Sequence, residues 1–184
     1  MDQAQPCPSP EWKANLFAPW RIQYIRTLGP EQGNGCFLCQ ARDQLGQEEQ
    51  NLLLWRTPRC LAVLNRFPYT GGHMLISPLA HVDCLEELDA PTLTELMELT
   101  RDALAALRAA IKPEGFNVGF NIGRCAGAGL PGHIHLHVVP RWNGDTNFMP
   151  VLSDVHVIPQ GLLELRRQII QEAAQLKLPR VLHA

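Results

Sequence analysis

The chain reads as an α+β domain: an antiparallel β-sheet with one long helix packed on it, and a further helix near the C-terminal end. Two observations carry this reading. Short apolar segments joined by tight turns recur between residues 52 and 139, and one long amphipathic stretch, 91–111, falls between two groups of such segments.

The elements follow in order. Residues 1–14 are rich in proline and polar groups and read as a loose arm; 16–28 carry aromatics suited to packing on the domain or on a partner. Gly33-Asn34-Gly35 is a turn into the knuckle Cys36-Phe37-Leu38-Cys39, followed by a polar, exposed stretch, 40–51. Strands are expected at 52–56 and 60–64, separated by Thr57-Pro58-Arg59. A third, 73–77, is entered through Gly71-Gly72 and ended by Pro78, which cannot donate to a ladder. In the helix at 91–111, Pro91 suits the first turn and Thr92-x-x-Glu95 resembles a capping box. Leu93, Leu96, Met97, Thr100, Leu104, Leu107 and Ile111 recur at helical spacing and are expected to form its core stripe. Lys112-Pro113-Glu114-Gly115 stops it. Residues 116–122 alternate as a strand, 123–132 form a Gly/Ala/Pro-rich loop, and a histidine-bearing strand follows. Beyond an irregular 141–150, a short strand is expected at 155–158 and an amphipathic helix at 161–176. The domain reading is an N-terminal arm at 1–29, a main domain at 30–150 and a C-terminal extension with its helix at 151–184.

Composition bounds the function. With 184 residues, 46% of them hydrophobic and 18% charged, the chain can bury a core. A net charge of −2 without a basic stripe argues against a nucleic-acid surface, though not against a small phosphate-bearing ligand. No apolar run is long enough to cross a bilayer, and the first residues lack the pattern of an export signal. The six cysteines are therefore expected as free thiols in a cytoplasmic protein.

The most informative stretch is Gly132-His133-Ile134-His135-Leu136-His137-Val138. In extended chain, side chains two apart share a face, so three imidazoles line one side while Ile134, Leu136 and Val138 load the other. Such a row suits catalysis or metal binding, and a pH-sensitive edge strand is the plainer alternative. The preceding loop, Gly123-Arg124-Cys125-Ala126-Gly127-Ala128-Gly129-Leu130, has the glycines needed to aim backbone N–H groups at an anion, Gly127 and Gly129 among them. A phosphate held there beside a neutral imidazole points to nucleophilic attack on phosphorus.

These residues resemble the histidine triad superfamily. The signature His133-x-His135-x-His137 is joined by Asn65-Arg66-Phe67-Pro68 and Gly72-His73-Met74-Leu75-Ile76-Ser77-Pro78, similar to the family's nucleoside-binding half. Asn117 to Gly132 is similar to its phosphate loop, and Pro140 to Phe148 to its dinucleoside-polyphosphate branch. The resemblance covers roughly residues 30–150. It implies that His135 is the nucleophile and His137 a phosphate-binding or ring-orienting group. It also implies that Asn65 contacts the ribose and Asn121 bonds near the scissile phosphate. Trp142 is a candidate base-stacking wall or, equally, a core indole. Two positions depart from the family. Leu130 stands where many members carry Ser or Thr, and Gly129 where many carry Gln, so no hydroxyl assists the leaving group from there.

Cys36-x-x-Cys39, His81 and His133 resemble the zinc site of galactose-1-phosphate uridylyltransferase, a distant relative that has Gln where this chain has His137. The resemblance implies a structural zinc; the plainer reading of the C-x-x-C is a turn with two thiols. His73 is expected to fix local hydrogen bonds, Cys125 to be a small buried thiol, and His156 and His183 to be surface groups. The function implied is nucleotidyl transfer from a dinucleoside polyphosphate of the diadenosine tetraphosphate type, released to water or phosphate, by a homodimer. A nucleoside phosphoramidase or other AMP-releasing hydrolase, and a non-catalytic nucleotide sensor, are the alternatives.

Overall fold

The computed structural model describes residues 35–145 and 160–182. The expected arm, the strand at 155–158, His156 and His183 lie outside the described residues. A five-stranded antiparallel sheet has the order β1-β2-β3-β5-β4. Its strands are β1 (Leu53–Arg56), β2 (Cys60–Leu64), β3 (Met74–Pro78), β4 (Gly115–Phe120) and β5 (Leu136–Arg141). Helix α1 (Phe37–Asp43) precedes the sheet, α2 (Ala90–Ile111) separates β3 from β4, and α3 (Leu162–Gln175) follows β5. This is the α+β fold expected, with the long helix and the C-terminal helix both present.

Period-two alternation sorts the side chains onto two faces. Cys60, Ala62 and Leu64 of β2, Met74 and Ile76 of β3, and Leu136 and Val138 of β5 join the main core with α2 and α3. Leu61, Val63 and Leu75 join a smaller cluster on the opposite face with Cys36, Leu38 and Ala41 of the α1 region. Both faces of β2 are covered, so all five of its residues are buried.

Helix α2 differs from expectation in two respects. Its cap is Asp89, whose Oδ1 accepts from Thr92 N at 2.9 Å. Glu95 turns away from the cap to accept from the Thr57 hydroxyl at 2.6 Å and Arg59 N at 2.8 Å, tying the helix to the β1–β2 turn. The inward face runs through Leu96, Leu99, Ala103, Ala106, Leu107 and Ala110, while Leu93 and Met97 lie exposed. Ala103, Ala106 and Ala110 let the helix axis approach the sheet and share the inward face with Leu96, Leu99 and Leu107. Lys112 ends the helix in a left-handed conformation (φ 47°) ahead of Pro113.

Helix α3 buries Leu165, Ile169 and Ala173 in the main core. Arg166 Nε donates to Leu53 O at 2.7 Å and Gln168 to Ala110 O at 2.6 Å, so α3 is fastened to both β1 and α2. Asp102, fully buried, accepts from Arg180 N at 2.7 Å and from Arg101 Nε at 3.1 Å. At Gly72 (φ 81°) an added Cβ would come within 2.6 Å of Ile111 Cδ1, so the turn into β3 needs glycine for conformation and for space.

Candidate active site

The regular part of β5 begins at Leu136, so His133 and His135 stand just before the ladder. Their segment is held instead by Ile134 N donating to Val82 O at 2.7 Å. The pairing of Leu75 with His137 puts the third histidine on the face opposite the main core.

Each imidazole is oriented by a group whose chemistry fixes its tautomer. A carbonyl only accepts, so His135 Nδ1, 2.8 Å from His133 O, carries the proton and Nε2 keeps the lone pair. Tyr69 N–H donates to His73 Nδ1 at 3.2 Å, which puts the His73 proton on Nε2. That Nε2 lies 2.9 Å from His137 Nδ1 and donates to it, so neutral His137 carries its proton on Nε2. The amide of Asn121 lies 3.4 Å from that nitrogen. A backbone N–H at position 69 thus sets, through two rings, which nitrogen of His137 can donate to a phosphate oxygen. The neighbouring rings of His135 and His137 have centroids 4.9 Å apart.

Burial keeps these rings uncharged. It pushes His73 down to about 3, with repulsion from His137 and His135 adding to the effect. It pushes His137 down to about 4, helped by His135. His135 falls below the usual histidine range for the same reason, its bond to the His133 carbonyl opposing the shift. At neutral pH the row presents neutral imidazoles, the state a nucleophile requires.

The expected substrate-binding residues divide. Asn121 lies against His137. Asn65 Nδ2 lies 3.2 Å from His73 Nδ1 and Asn65 Oδ1 accepts from Phe67 N at 2.9 Å, so it braces the turn beside the histidines. Gly127 caps a 3-10 turn, Arg124–Ala126, in a left-handed conformation (φ 85°) that favours glycine, and Gly129 follows the buried Ala128. Trp142 stands five residues beyond His137, on the order of 17 Å along extended chain, half-buried, with its N–H on Asp145. The expectation for Cys125 is corrected: the 3-10 turn carries it to the surface, where it is exposed.

Cys36, Cys39, His81 and His133 converge, their ligand atoms all within 4.8 Å of one another. Cys36 Sγ is 3.1 Å and Cys39 Sγ 3.6 Å from His133 Nδ1, and Cys39 Sγ is 3.2 Å from His81 Nδ1. His133 Nε2 donates to Pro78 O at 2.9 Å, which leaves Nδ1 bare toward the thiols. Two sulfurs and two imidazole nitrogens, one ring braced from behind, form a donor set that fits a tetrahedral metal ion. Burial, together with Cys39, raises the Cys36 thiol to about 11, so a metal taken there displaces a proton.

Two residues escaped the sequence reading, and a third does more than was expected of it. His73 was expected to bond locally and does, yet it also reaches His137 across the strands. Tyr69 stacks on both rings, its centroid 4.6 Å from His73 and 6.2 Å from His137. Ser77, on β3 next to the Ile76–Leu136 pair, has a buried hydroxyl without a hydrogen-bond partner. The pairing of β3 with β5 brings all three to the site, and that pairing leaves no trace in local sequence.

Comparison with known proteins bears on this geometry. A family model described as "HIT domain" matches residues 46–144. An "AP-4-A phosphorylase" of Mycobacterium tuberculosis is 36% identical over 164 residues, 87% of this chain and 84% of that protein. A zinc-bound histidine triad family protein from Mycobacterium smegmatis superposes with a TM-score of 0.61 at 26% identity, over 78% of this chain and 96% of that one. A hypothetical histidine triad nucleotide-binding protein from Sulfolobus tokodaii gives the same TM-score, 0.61, at 26% identity, over 77% and 94%.

Proposed function

The chain belongs to the HIT domain family, and from that premise we propose that it is a nucleotidyl-transfer enzyme cleaving dinucleoside polyphosphates of the diadenosine tetraphosphate type. The observation that carries the proposal is His135, whose Nδ1 is committed to a carbonyl and whose Nε2 keeps an unprotonated lone pair. Nε2 attacks the phosphorus next to one nucleoside. An N–P bond forms, the bond to the bridging oxygen breaks, and the nucleoside polyphosphate leaves with the electron pair. An oxygen of water or inorganic phosphate then attacks the same phosphorus, and the N–P electrons return to His135. His137, donating from Nε2, and the 123–130 loop hold the phosphate oxygens, with Asn121 beside them. Asn65 and Trp142 are assigned to the nucleoside on family resemblance.

Phosphate is the acceptor we favour, supported by the likeness to the mycobacterial phosphorylase. Incubation with diadenosine tetraphosphate, with and without phosphate, tests this. Phosphate-dependent ATP plus ADP is the expected outcome; ATP plus AMP, or two ADP, in both cases would assign hydrolysis, and no turnover would remove the enzymatic reading.

Zinc is the metal assigned to Cys36, Cys39, His81 and His133, supported by the donor set and the zinc-bound neighbour. With four protein ligands it would supply structural cross-linking, tying α1 and the segment after β3 to the start of the histidine row. Residues 30–150 are the proposed catalytic domain, and the working unit is read as a homodimer, on family resemblance; a monomeric mass by light scattering would contradict the latter. No helix among the described residues is long and apolar enough to cross a membrane. The cytoplasmic reading is supported by the five described cysteines, none of which is in a disulfide.

A further inference from the structure

The segment that carries His135 leans on the sulfur cluster more than on the sheet. Strand β5 starts only at Leu136, so His133, Ile134 and His135 lie before its ladder. His133 points Nδ1 at Cys36 and Cys39, 3.1 and 3.6 Å from the two sulfurs, while Pro78 O takes the proton of its Nε2. Ile134 N donates to Val82 O at 2.7 Å, next to His81. The carbonyl of His133 in turn accepts from His135 Nδ1 at 2.8 Å. One residue therefore meets the thiols with its ring and fixes the tautomer of His135 with its backbone.

The two thiols are also placed to meet each other. Cys36 caps α1, and Cys39 N–H lies 3.4 Å from its sulfur. The sulfurs are within 4.8 Å of one another. Side chains three apart on a helical turn stand about 5–6 Å apart at the backbone end, a separation a disulfide spans after rotation about χ1. Cys36 and His133 are buried, whereas Cys39 is partly exposed and His81 exposed, so a small oxidant reaches the cluster from the side of Cys39. Arg42 Nη1 donates to Leu79 O at 2.7 Å, which keeps α1 fastened to the segment before His81 whatever the state of the sulfurs.

Resting on the metal and nucleotide readings above, we propose that Cys36 and Cys39 are a redox modification site: a hydroperoxide joins them as a disulfide, releasing the metal and freeing His135 from its fixed tautomer. The Cys39 thiolate attacks a peroxide oxygen; an S–O bond forms, the O–O bond breaks and hydroxide leaves. The Cys36 thiolate then attacks the Cys39 sulfur; the S–S bond forms, the S–O bond breaks and a second hydroxide leaves. Two protons from solvent turn the hydroxides into water, and each sulfur has given up one electron. Disulfide sulfurs carry no charge to hold a cation. His133 Nδ1 is left buried without a partner, a state that favours turning the ring and, with it, the carbonyl that His135 depends on.

Zinc-loaded protein carrying Cys125→Ser, which removes an exposed thiol, is treated with hydrogen peroxide. We expect zinc to pass to a chromogenic chelator in step with the loss of two hydrogens from the peptide bearing residues 36–39. Turnover of diadenosine tetraphosphate should fall about ten- to hundredfold, the range that supports behind a site residue are worth, and return with dithiothreitol and zinc. Adding Cys39→Ser prevents the disulfide, and that protein should keep its own turnover through the same treatment. Zinc that stays bound, a 36–39 peptide that stays reduced, or unchanged turnover once the disulfide is complete would overturn the proposal; so would equal inactivation of the Cys39→Ser protein. If the purified chain holds no zinc, the metal assignment fails by itself, and the disulfide with its fall in turnover, or their absence, judges the site. If diadenosine tetraphosphate is not turned over, the assigned function fails by itself. Imidazole nitrogen resonances then decide: loss of the single Nδ1-protonated form of His135 on oxidation upholds the link, and an unchanged tautomer overturns it.

Discussion

Strand β5 and the residues leading into it show two chemistries on one backbone. Leu136 and Val138 face α2 and α3 and vanish into hydrocarbon, whereas His135 and His137 face the other way among rings, amides and carbonyls. The first face gains free energy from burial alone, about 1.5–3 kcal/mol for each large side chain. The second has polar rings that burial opposes, and it is tolerable because their nitrogens, His135 Nε2 apart, are matched to partners and each ring stays neutral. Stability and chemistry are thus assigned to opposite sides of the same sheet, and substitutions should separate them.

The sharpest separation is expected at the centre of the row. His135→Ala should lower kcat by at least about a thousandfold, as removal of a nucleophile does, while urea denaturation stays near that of the wild type. A variant that turns over normally would erase the distinction. The mirror experiment is Leu99→Ala in α2, fully buried on the apolar side. It should lose about 2–5 kcal/mol of folding free energy, yet keep its turnover per folded molecule at temperatures where it remains native. Loss of kcat without loss of stability would show that the faces are not independent.

The proposed metal ligands sit on the polar face but are expected to behave like core. Zinc analysis of gently purified protein should find close to one ion per chain. Chelation, or Cys36→Ser, should release it and lower the thermal midpoint; protein that carries no metal with all four ligands intact would refute the site.

A further effect lies in the pH dependence of stability. His73 has its folded pKa lowered to about 3 by burial, so the unfolded chain takes up a proton below pH 6.5 while the folded one does not. Its contribution is fully present above 6.5 and declines as pH falls toward 3. His73→Gln should flatten that acid limb by at most about 1.4 kcal/mol per pH unit. Parallel stability curves for the two proteins would deny that the ring is kept neutral.

Local patterns were legible and long-range pairings were not. The alternation at 133–138 announced both faces of the row, and strands near 53, 60 and 74 fell where turn residues bounded apolar runs. The long helix was evident with most of its inward stripe, Leu96, Thr100 and Leu107 being buried and Leu104 and Ile111 packed on the core; Leu93 and Met97 lie outside, and the alanines Ala103, Ala106 and Ala110 that complete the face give a weak periodic signal. Thr92-x-x-Glu95 looked like a cap because Asp89 and the demand of Thr57 and Arg59 for a carboxylate are invisible together in one window. The convergence of Cys36, Cys39, His81 and His133 was reached by resemblance, since their separations in the chain place no limit on their distance in space. His73, Tyr69 and Ser77 entered the site only when β3 was laid against β5.

Trapping the reaction in mid-course tests the central claim most directly. Diadenosine tetraphosphate mixed with enzyme without phosphate, quenched in alkali within the first turnover and digested, should yield one peptide heavier by a single AMP group, with the added mass at His135. An unmodified His135 peptide during active turnover, or the same adduct on a different residue, would contradict it.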